Sequence, residues 1–204
     1  VLSNNGCIDQ KIRVDTPSGD YKETVNSICN VIQKLQGSNR MSVGIGTPGA
    51  VALPEKLMKN SNSVLLNGKP LQQDIQTKLG YKIRLENDAN CFVLSEAFYG
   101  AAINIRSVFG VILGTGCGGG FVIDKQLVTG PNSIAGEWGH NCIPASVRNL
   151  IERDRICYCG RQNCIETVIS GRGLQQTYLE KFGNNLEAKE IAQRAKAEDT
   201  AATK

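Results

Sequence analysis

The chain is poor in histidine, with one in 204 residues, His140. Whatever imidazole chemistry it performs falls to that residue. No apolar run reaches about 18 residues, so no segment is fit to be a membrane-spanning helix. Val1-Leu2-Ser3 leads directly into polar turn residues, which does not read as a signal peptide. There is no internal repeat and no low-complexity linker. Charge of one sign never accumulates. The net charge is +4, the basic residues are dispersed, and Arg148, Arg153 and Arg155 sit among Glu152 and Asp154. That pattern argues against nucleic acid as the main partner. Apolar and charged fractions are those of an ordinary globular protein.

Cysteine, by contrast, is plentiful. Three of the eight cysteines, Cys157, Cys159 and Cys164, fall within eight residues. With His140 they form a Cys3His set, the usual donor set of a closed structural zinc site. A disulfide is the rival reading, although Cys157 and Cys159 are too close in sequence to pair easily. A cluster of buried free thiols is a second rival. The C-x-C-G spacing with a lone upstream histidine favours zinc. Such a site holds structure, which draws attention to Glu137 and Glu166, each beside a ligand. Cys7, Cys29, Cys91, Cys117 and Cys142 lie scattered in apolar contexts. They read as free thiols in a reducing compartment, so a cytoplasmic protein is expected.

Along the chain, Asn4-Asn5-Gly6 signals a hairpin turn, with Lys11 to Thr16 as the return strand. Asp20 and Glu23 have capping-box spacing. Val25, Ile28, Cys29, Ile32 and Leu35 then predict a helix that Gly37 stops. Ser42 to Gly46 reads as a buried strand running into the Gly46-Thr47-Pro48-Gly49 turn. Pro70 to Gly80 predicts a second helix, and Tyr81 to Leu85 a strand. Glu86-Asn87-Asp88-Ala89-Asn90 follows and opens a helix over Cys91 to Tyr99. In α/β folds ligands gather at strand-to-helix handovers. Asp88 reads there either as an N-cap or as a catalyst, and both readings stand.

Ser107 to Leu113 reads as a buried strand, followed by Gly114-Thr115-Gly116-Cys117-Gly118-Gly119-Gly120. Gly114, Gly116 and Gly119 satisfy G-x-G-x-x-G, but that fingerprint must open a helix. Phe121-Val122-Ile123 and Gln126-Leu127-Val128 instead flank Asp124-Lys125 like a hairpin, which excludes the dinucleotide reading. The turn is either a phosphate cradle or a plain tight turn. Ile165 to Ile169, Gly173 to Phe182 and Leu186 to Ala197 look helical, and Glu198 to Lys204 should fray. Alternating strands and helices predict an α/β architecture.

Four separated motifs, GIGTPG at Gly44 to Gly49, ENDAN at Glu86 to Asn90, LGTGCGGG at Leu113 to Gly120 with GEWGH at Gly136 to His140, and CYCGRQNCIE at Cys157 to Glu166, resemble the ROK family of repressors and sugar kinases. Trp138, the Asn62-Ser63 and Asn67-Gly68 stretch and the Cys-Tyr-Cys triplet are most similar to its bacterial fructokinase branch. The resemblance implies a two-domain actin-like, ribonuclease H-like fold truncated at both ends. A small N-terminal α/β domain would cover residues 1–104, and part of a larger domain with the zinc knuckle residues 105–204. It implies ATP-dependent phosphorylation of a hexose 6-hydroxyl, fructose first, with N-acetylglucosamine or glucose as alternatives and a sugar-responsive repressor as the alternative of another class. ATP, Mg2+ and structural Zn2+ follow as cofactors, hexose as partner, and a homodimer as the assembly. Asp88 matches the catalytic base. Asn87, Gly49, Glu137, His140 and Glu166 match sugar ligands; Gly114, Thr115 and Gly116 match a phosphate motif; and His140, Cys157, Cys159 and Cys164 match the zinc ligands.

Departures are equally specific. The family's first phosphate motif, Asp-x-Gly-Gly-Thr, and its C-terminal glycine-rich adenosine segment have no match here. The expectation is an interior portion of a chain of about 300 residues. Asn163 stands where a glycine is usual before the last cysteine. Asn is among the few residues that adopt left-handed backbone readily, so the knuckle should keep its shape.

Overall fold

A computed structural model describes residues 1–3, 6–17, 19–197 and 200–203. Helix α1 (Tyr21–Gln36) starts where the sequence places it, because Asp20 Oδ1 accepts the N–H groups of Lys22 and Glu23 at 2.7 and 3.3 Å. Its buried face, Val25 and Cys29, meets Leu71 and Ile75 of α2 (Leu71–Leu79) in the first core cluster. Met58, Leu66 and Ile83 complete that cluster. Helix α2 ends at Gly80, whose φ of 79° is the left-handed closure the sequence signals.

Strand β1 (Gly44–Thr47) pairs in parallel with β4 (Arg84–Asn87), and β2 (Ala50–Ala52) pairs antiparallel with β3 (Leu57–Lys59). Strand β4 leads straight into α3 (Asp88–Tyr99). A second sheet runs β5 (Ser107–Leu113), β6 (Cys117–Ile123) and β7 (Gln126–Val128), all antiparallel. Val93 and Ala97 of α3 pack under it with Val122, making the second core cluster. The chain closes with α4 (Glu166–Ile169), α5 (Gly171–Phe182), α6 (Ala188–Lys196) and α7 (Thr200–Thr203). No helix among the described residues is long and apolar enough to cross a membrane. The mixed α/β architecture matches the actin-like, ribonuclease H-like expectation.

Several local expectations are corrected. Lys11 to Thr16 forms no strand, since these side chains are mostly exposed and find no ladder. The antiparallel bridge falls earlier, between Leu2 and Ile8, with the Asp9 N–H on the Val1 carbonyl at 3.0 Å. Asn4 and Asn5 of the expected turn lie outside the described residues. The strand expected at Tyr81 starts instead at Arg84, because glutamines of α2 take both main-chain groups of Ile83. Gln72 Nε2 donates to its carbonyl and Gln76 Oε1 accepts its N–H, each at 3.0 Å. β1 and β5 are not buried on both faces. In β5, Phe109, Val111 and Leu113 face outward beside Phe121 and Ile123 of β6, because α3 covers only the other side of the sheet. Thr200 to Thr203 is helical rather than frayed, whereas Glu198, Asp199 and Lys204 lie outside the described residues.

Candidate functional site

Four side chains from two separate segments converge beside β6. The candidate ligand atoms of His140, Cys157, Cys159 and Cys164 all lie within 4.8 Å of one another. The segment carrying His140 is docked on β6 by Trp138, whose Nε1 donates to the Gly118 carbonyl at 2.7 Å and whose ring meets Phe109 edge-on. Gly139 lies so close to the strand that a Cβ there would sit 2.6 Å from the Cys117 carbonyl oxygen. The cysteine segment folds back on itself through an Ile156–Gln162 bridge and a Cys157 N–H bond to the Arg161 carbonyl at 2.8 Å. Asn163 does take left-handed backbone, at φ 55°.

His140 turns Nδ1 toward Cys157 Sγ at 3.5 Å, and Cys159 and Cys164 sulfurs lie 3.6 Å apart. Thiols so near one another titrate unequally. Burial pushes Cys164 up to about 12 and raises Cys157. Burial also works against the Cys159 thiolate, but donors at Arg161 and the neighbouring thiols outweigh it and bring the group down to about 6. Three sulfurs and one imidazole nitrogen in van der Waals reach, all on separate ligand residues, could hold a tetrahedral divalent metal of the zinc type, which displaces the remaining thiol protons as it binds. His140 would bind through Nδ1 and keep its proton on Nε2. That nitrogen lies 3.0 Å from Tyr158 Oη and 3.7 Å from Glu137 Oε2.

The carboxylates gather around this frame. Glu166 is 8% exposed. Its Oε2 accepts the Cys117 N–H at 2.9 Å, and Oε1 lies 3.8 Å from Cys157 Sγ. Gly116 leaves room for it, since a Cβ there would come within 2.5 Å of Oε2. Glu137 is raised above the ordinary carboxylate range, first by burial and then by the charges of Glu166 and Asp88, against the pull of His140 and Lys59. The three acids therefore share one electrostatic neighbourhood.

Asp88 is not the cap of α3. Asn87 caps it, with Oδ1 accepting from Ala89 and Asn90 N–H at 2.9 and 3.1 Å. Asp88 is exposed, accepts only its neighbour's N–H on Ala89 at 2.8 Å, and makes no other hydrogen bond among the described residues. Asn87 also reaches back to the turn between β1 and β2, where Nδ2 donates to the Gly49 carbonyl at 2.9 Å. A primary amide has two N–H donors, so one remains.

The Gly114–Gly116 turn is a strand-to-strand turn, as expected, and opens no helix. It divides two clefts. One, about 680 Å³, is walled by Thr115, Gly116, Glu166, Tyr158, Asn62 and Arg172. The other, about 530 Å³, is walled by Gly114, Thr115, Gly171, Arg172, Glu187 and Lys189. Asp88 and Glu137 line neither. Asn62 and Tyr158 fell within motifs that gave them no role, and Arg172 carried no motif signal; only their place in the fold brings them to the turn.

The ROK family model matches residues 1–204. Over 184 residues the chain is 40% identical to a Photobacterium profundum protein named N-acetyl-D-glucosamine kinase, a match covering 88% of this chain and 61% of that one. Among solved structures it is similar to a ROK hexokinase from Thermus thermophilus, with a TM-score of 0.79 and 25% identity over 93% of this chain and 62% of the other. A Streptomyces griseus ROK glucokinase, solved with glucose and AMPPNP, superposes with a TM-score of 0.76 and 25% identity over 98% and 68%. The chain spans about three fifths of the length of the curated relative. With the family model matching residues 1–204, the chain belongs to the ROK family.

Proposed function

We propose that this chain is part of an ATP-dependent hexose kinase. The observation that carries the reading is Asp88, a carboxylate at a helix start that Asn87 has relieved of capping, beside two further acids. The ROK fold alone does not separate a kinase from a sugar-responsive repressor; an uncommitted carboxylate in this place favours the kinase. Glu137 and Glu166 would accept hydrogen bonds from sugar hydroxyls. The second N–H of Asn87 and the Nε2–H of His140 would donate to them. Asp88 takes the proton of the 6-hydroxyl as its oxygen attacks the γ-phosphorus, and the bond to the bridging oxygen of the nucleoside diphosphate breaks. Little covalent help is needed for this transfer; positioning and charge stabilisation suffice. The main-chain N–H groups of Gly114 to Gly116 suit the phosphates, and ATP would enter as its magnesium complex. His140, Cys157, Cys159 and Cys164 would hold zinc, which would supply rigidity rather than chemistry and keep the Glu137 and Glu166 carboxylates preorganised. N-acetylglucosamine or glucose fits the named relatives better than fructose does.

The test is Asp88→Asn in the full-length protein. Turnover should fall about 10²- to 10⁴-fold while sugar binding persists, the usual range for loss of a general base. Near-normal turnover would reduce Asp88 to a first-turn helix residue.

A further inference from the structure

Arg155 sits among charged sequence neighbours, and its residue exposure is 7%. A guanidinium taken from water must have its donors matched. Nη1 donates to the carbonyls of Thr167 and Gly173 at 2.7 and 3.3 Å. Nη2 donates to Thr177 Oγ1 at 2.9 Å and to Glu180 Oε2 at 2.6 Å. Glu180 is itself buried, with its side chain 5% exposed. Only Nε lacks a partner among the described residues. The main chain of Arg155 belongs to the knuckle: its N–H donates to Asn163 Oδ1 at 2.9 Å and its carbonyl accepts the Asn163 N–H at 2.8 Å. One residue thus grips the cysteine segment with its backbone and two helices with its side chain. The carbonyl it holds most tightly is that of Thr167, next to Glu166.

We infer that Arg155 is a positioning residue that fixes the Glu166 carboxylate by clamping the start of α4 to α5 and to the knuckle. Its Nη1 and Nη2 donors go to protein acceptors. A buried ion pair is by itself weak evidence of added stability; here the geometry assigns the pair a place to hold. The fork is essential, because four acceptors on two helices are met by one planar group. A lysine keeps the charge for Glu180 but cannot span Thr167, Gly173 and Thr177 together. The kinetic consequence rests on the hexose-kinase reading; the mechanical one does not.

The experiment uses full-length, zinc-loaded protein and the variant Arg155→Lys. The direct readout is hydrogen exchange at the Cys117 amide, whose hydrogen bond to Glu166 reports where that carboxylate sits. Exchange should quicken about tenfold, with zinc still bound. The sugar KM should rise about tenfold and the ATP KM stay within about twofold, a split that general destabilisation would not produce. If Arg155→Lys does not fold, Glu180→Gln weakens the same clamp while keeping its shape and should move both readouts the same way by less. Unchanged Cys117 exchange in a folded variant overturns the inference, whatever the activity. So does unchanged sugar KM in an active one. Quickened exchange in a protein whose wild type phosphorylates no hexose keeps the inference and removes the kinase reading.

Discussion

Glu166 Oε2 and the Cys117 N–H are 2.9 Å apart, so a residue just past the last knuckle cysteine is bonded to the first residue after the glycine turn. The proposed metal site and the proposed phosphate turn are therefore neighbours through one hydrogen bond. Loosening of the knuckle should be felt at the Cys117 amide, just past the turn.

A pair of substitutions separates holding from binding. The wild type should carry one zinc per chain. Cys159→Ser should lose zinc, expose the segment 141–156 to protease and weaken sugar binding, because the pocket then bears its own ordering cost. Glu166→Gln should keep zinc and still weaken sugar binding, since an amide accepts weaker hydrogen bonds from hydroxyls than a carboxylate does. Metal analysis, sugar titration and limited proteolysis on both variants decide it. Full sugar affinity with a protected segment in Cys159→Ser would show that the metal does not organise the pocket.

Gly116→Ala tests the room left for Glu166. Its methyl would meet Oε2 at 2.5 Å, and the carboxylate is tethered by Cys117. Overpacking should cost about 1–3 kcal/mol and displace Glu166, giving the sugar defect of Glu166→Gln with zinc intact. A Cβ at Gly114 meets nothing within 4 Å, so Gly114→Ala should unfold at the wild-type denaturant midpoint. Equal midpoints for both alanines would show that the Gly116 site can relax.

The backbone at Asn163 makes an asymmetric prediction. At φ 55° a glycine is at ease, so Asn163→Gly should lose only the side-chain bonds to Arg155 and Asp154, about 1 kcal/mol. Asn163→Val adds the strain of a β-branched residue in left-handed backbone, a further 1–3 kcal/mol or so. Chelator competition should rank zinc affinity wild type, then Gly, then Val. Val equal to Gly would contradict the strain.

Glu180 gives a pH dependence. Burial would raise its carboxyl, but hydrogen bonds from Gln176, Arg155 and Arg153 hold it down to about 2, from an ordinary 4.5. A depressed value means that stability from the charged form is complete above the ordinary value and is lost as pH falls toward 2. Denaturant unfolding of the wild type should weaken steeply between about pH 5 and pH 2, and Glu180→Gln should flatten that limb. Parallel acid limbs would place the acid sensitivity elsewhere.

Features that depend on a few adjacent residues were legible in the sequence. Asp20 capping α1, Gly80 closing α2, the Asp124-Lys125 hairpin and the left-handed Asn163 each follow from one residue's own conformational preference. The Cys3His set was legible because its histidine is the chain's one imidazole and its cysteines are closely spaced. What escaped were places where a distant side chain takes over main-chain groups or charge. Gln72 and Gln76 delay β4 by capturing Ile83. Asn87 rather than Asp88 caps α3 and so changes what Asp88 is free to do. Arg155 sits among charged neighbours in sequence and is buried by helices that follow it.

Asn87 divides its single amide between two jobs, with the oxygen on the first turn of α3 and the nitrogen on the Gly49 carbonyl. Tolerance at this position should accordingly be narrow. Aspartate could seat the helix but would set a carboxylate against the Gly49 oxygen. Serine could seat it and reach no further. Glutamine carries both groups one methylene too far out. The turn at Gly49 and the backbone bearing Asp88 thus behave as one rigid part, and drift at position 87 would shift the two together.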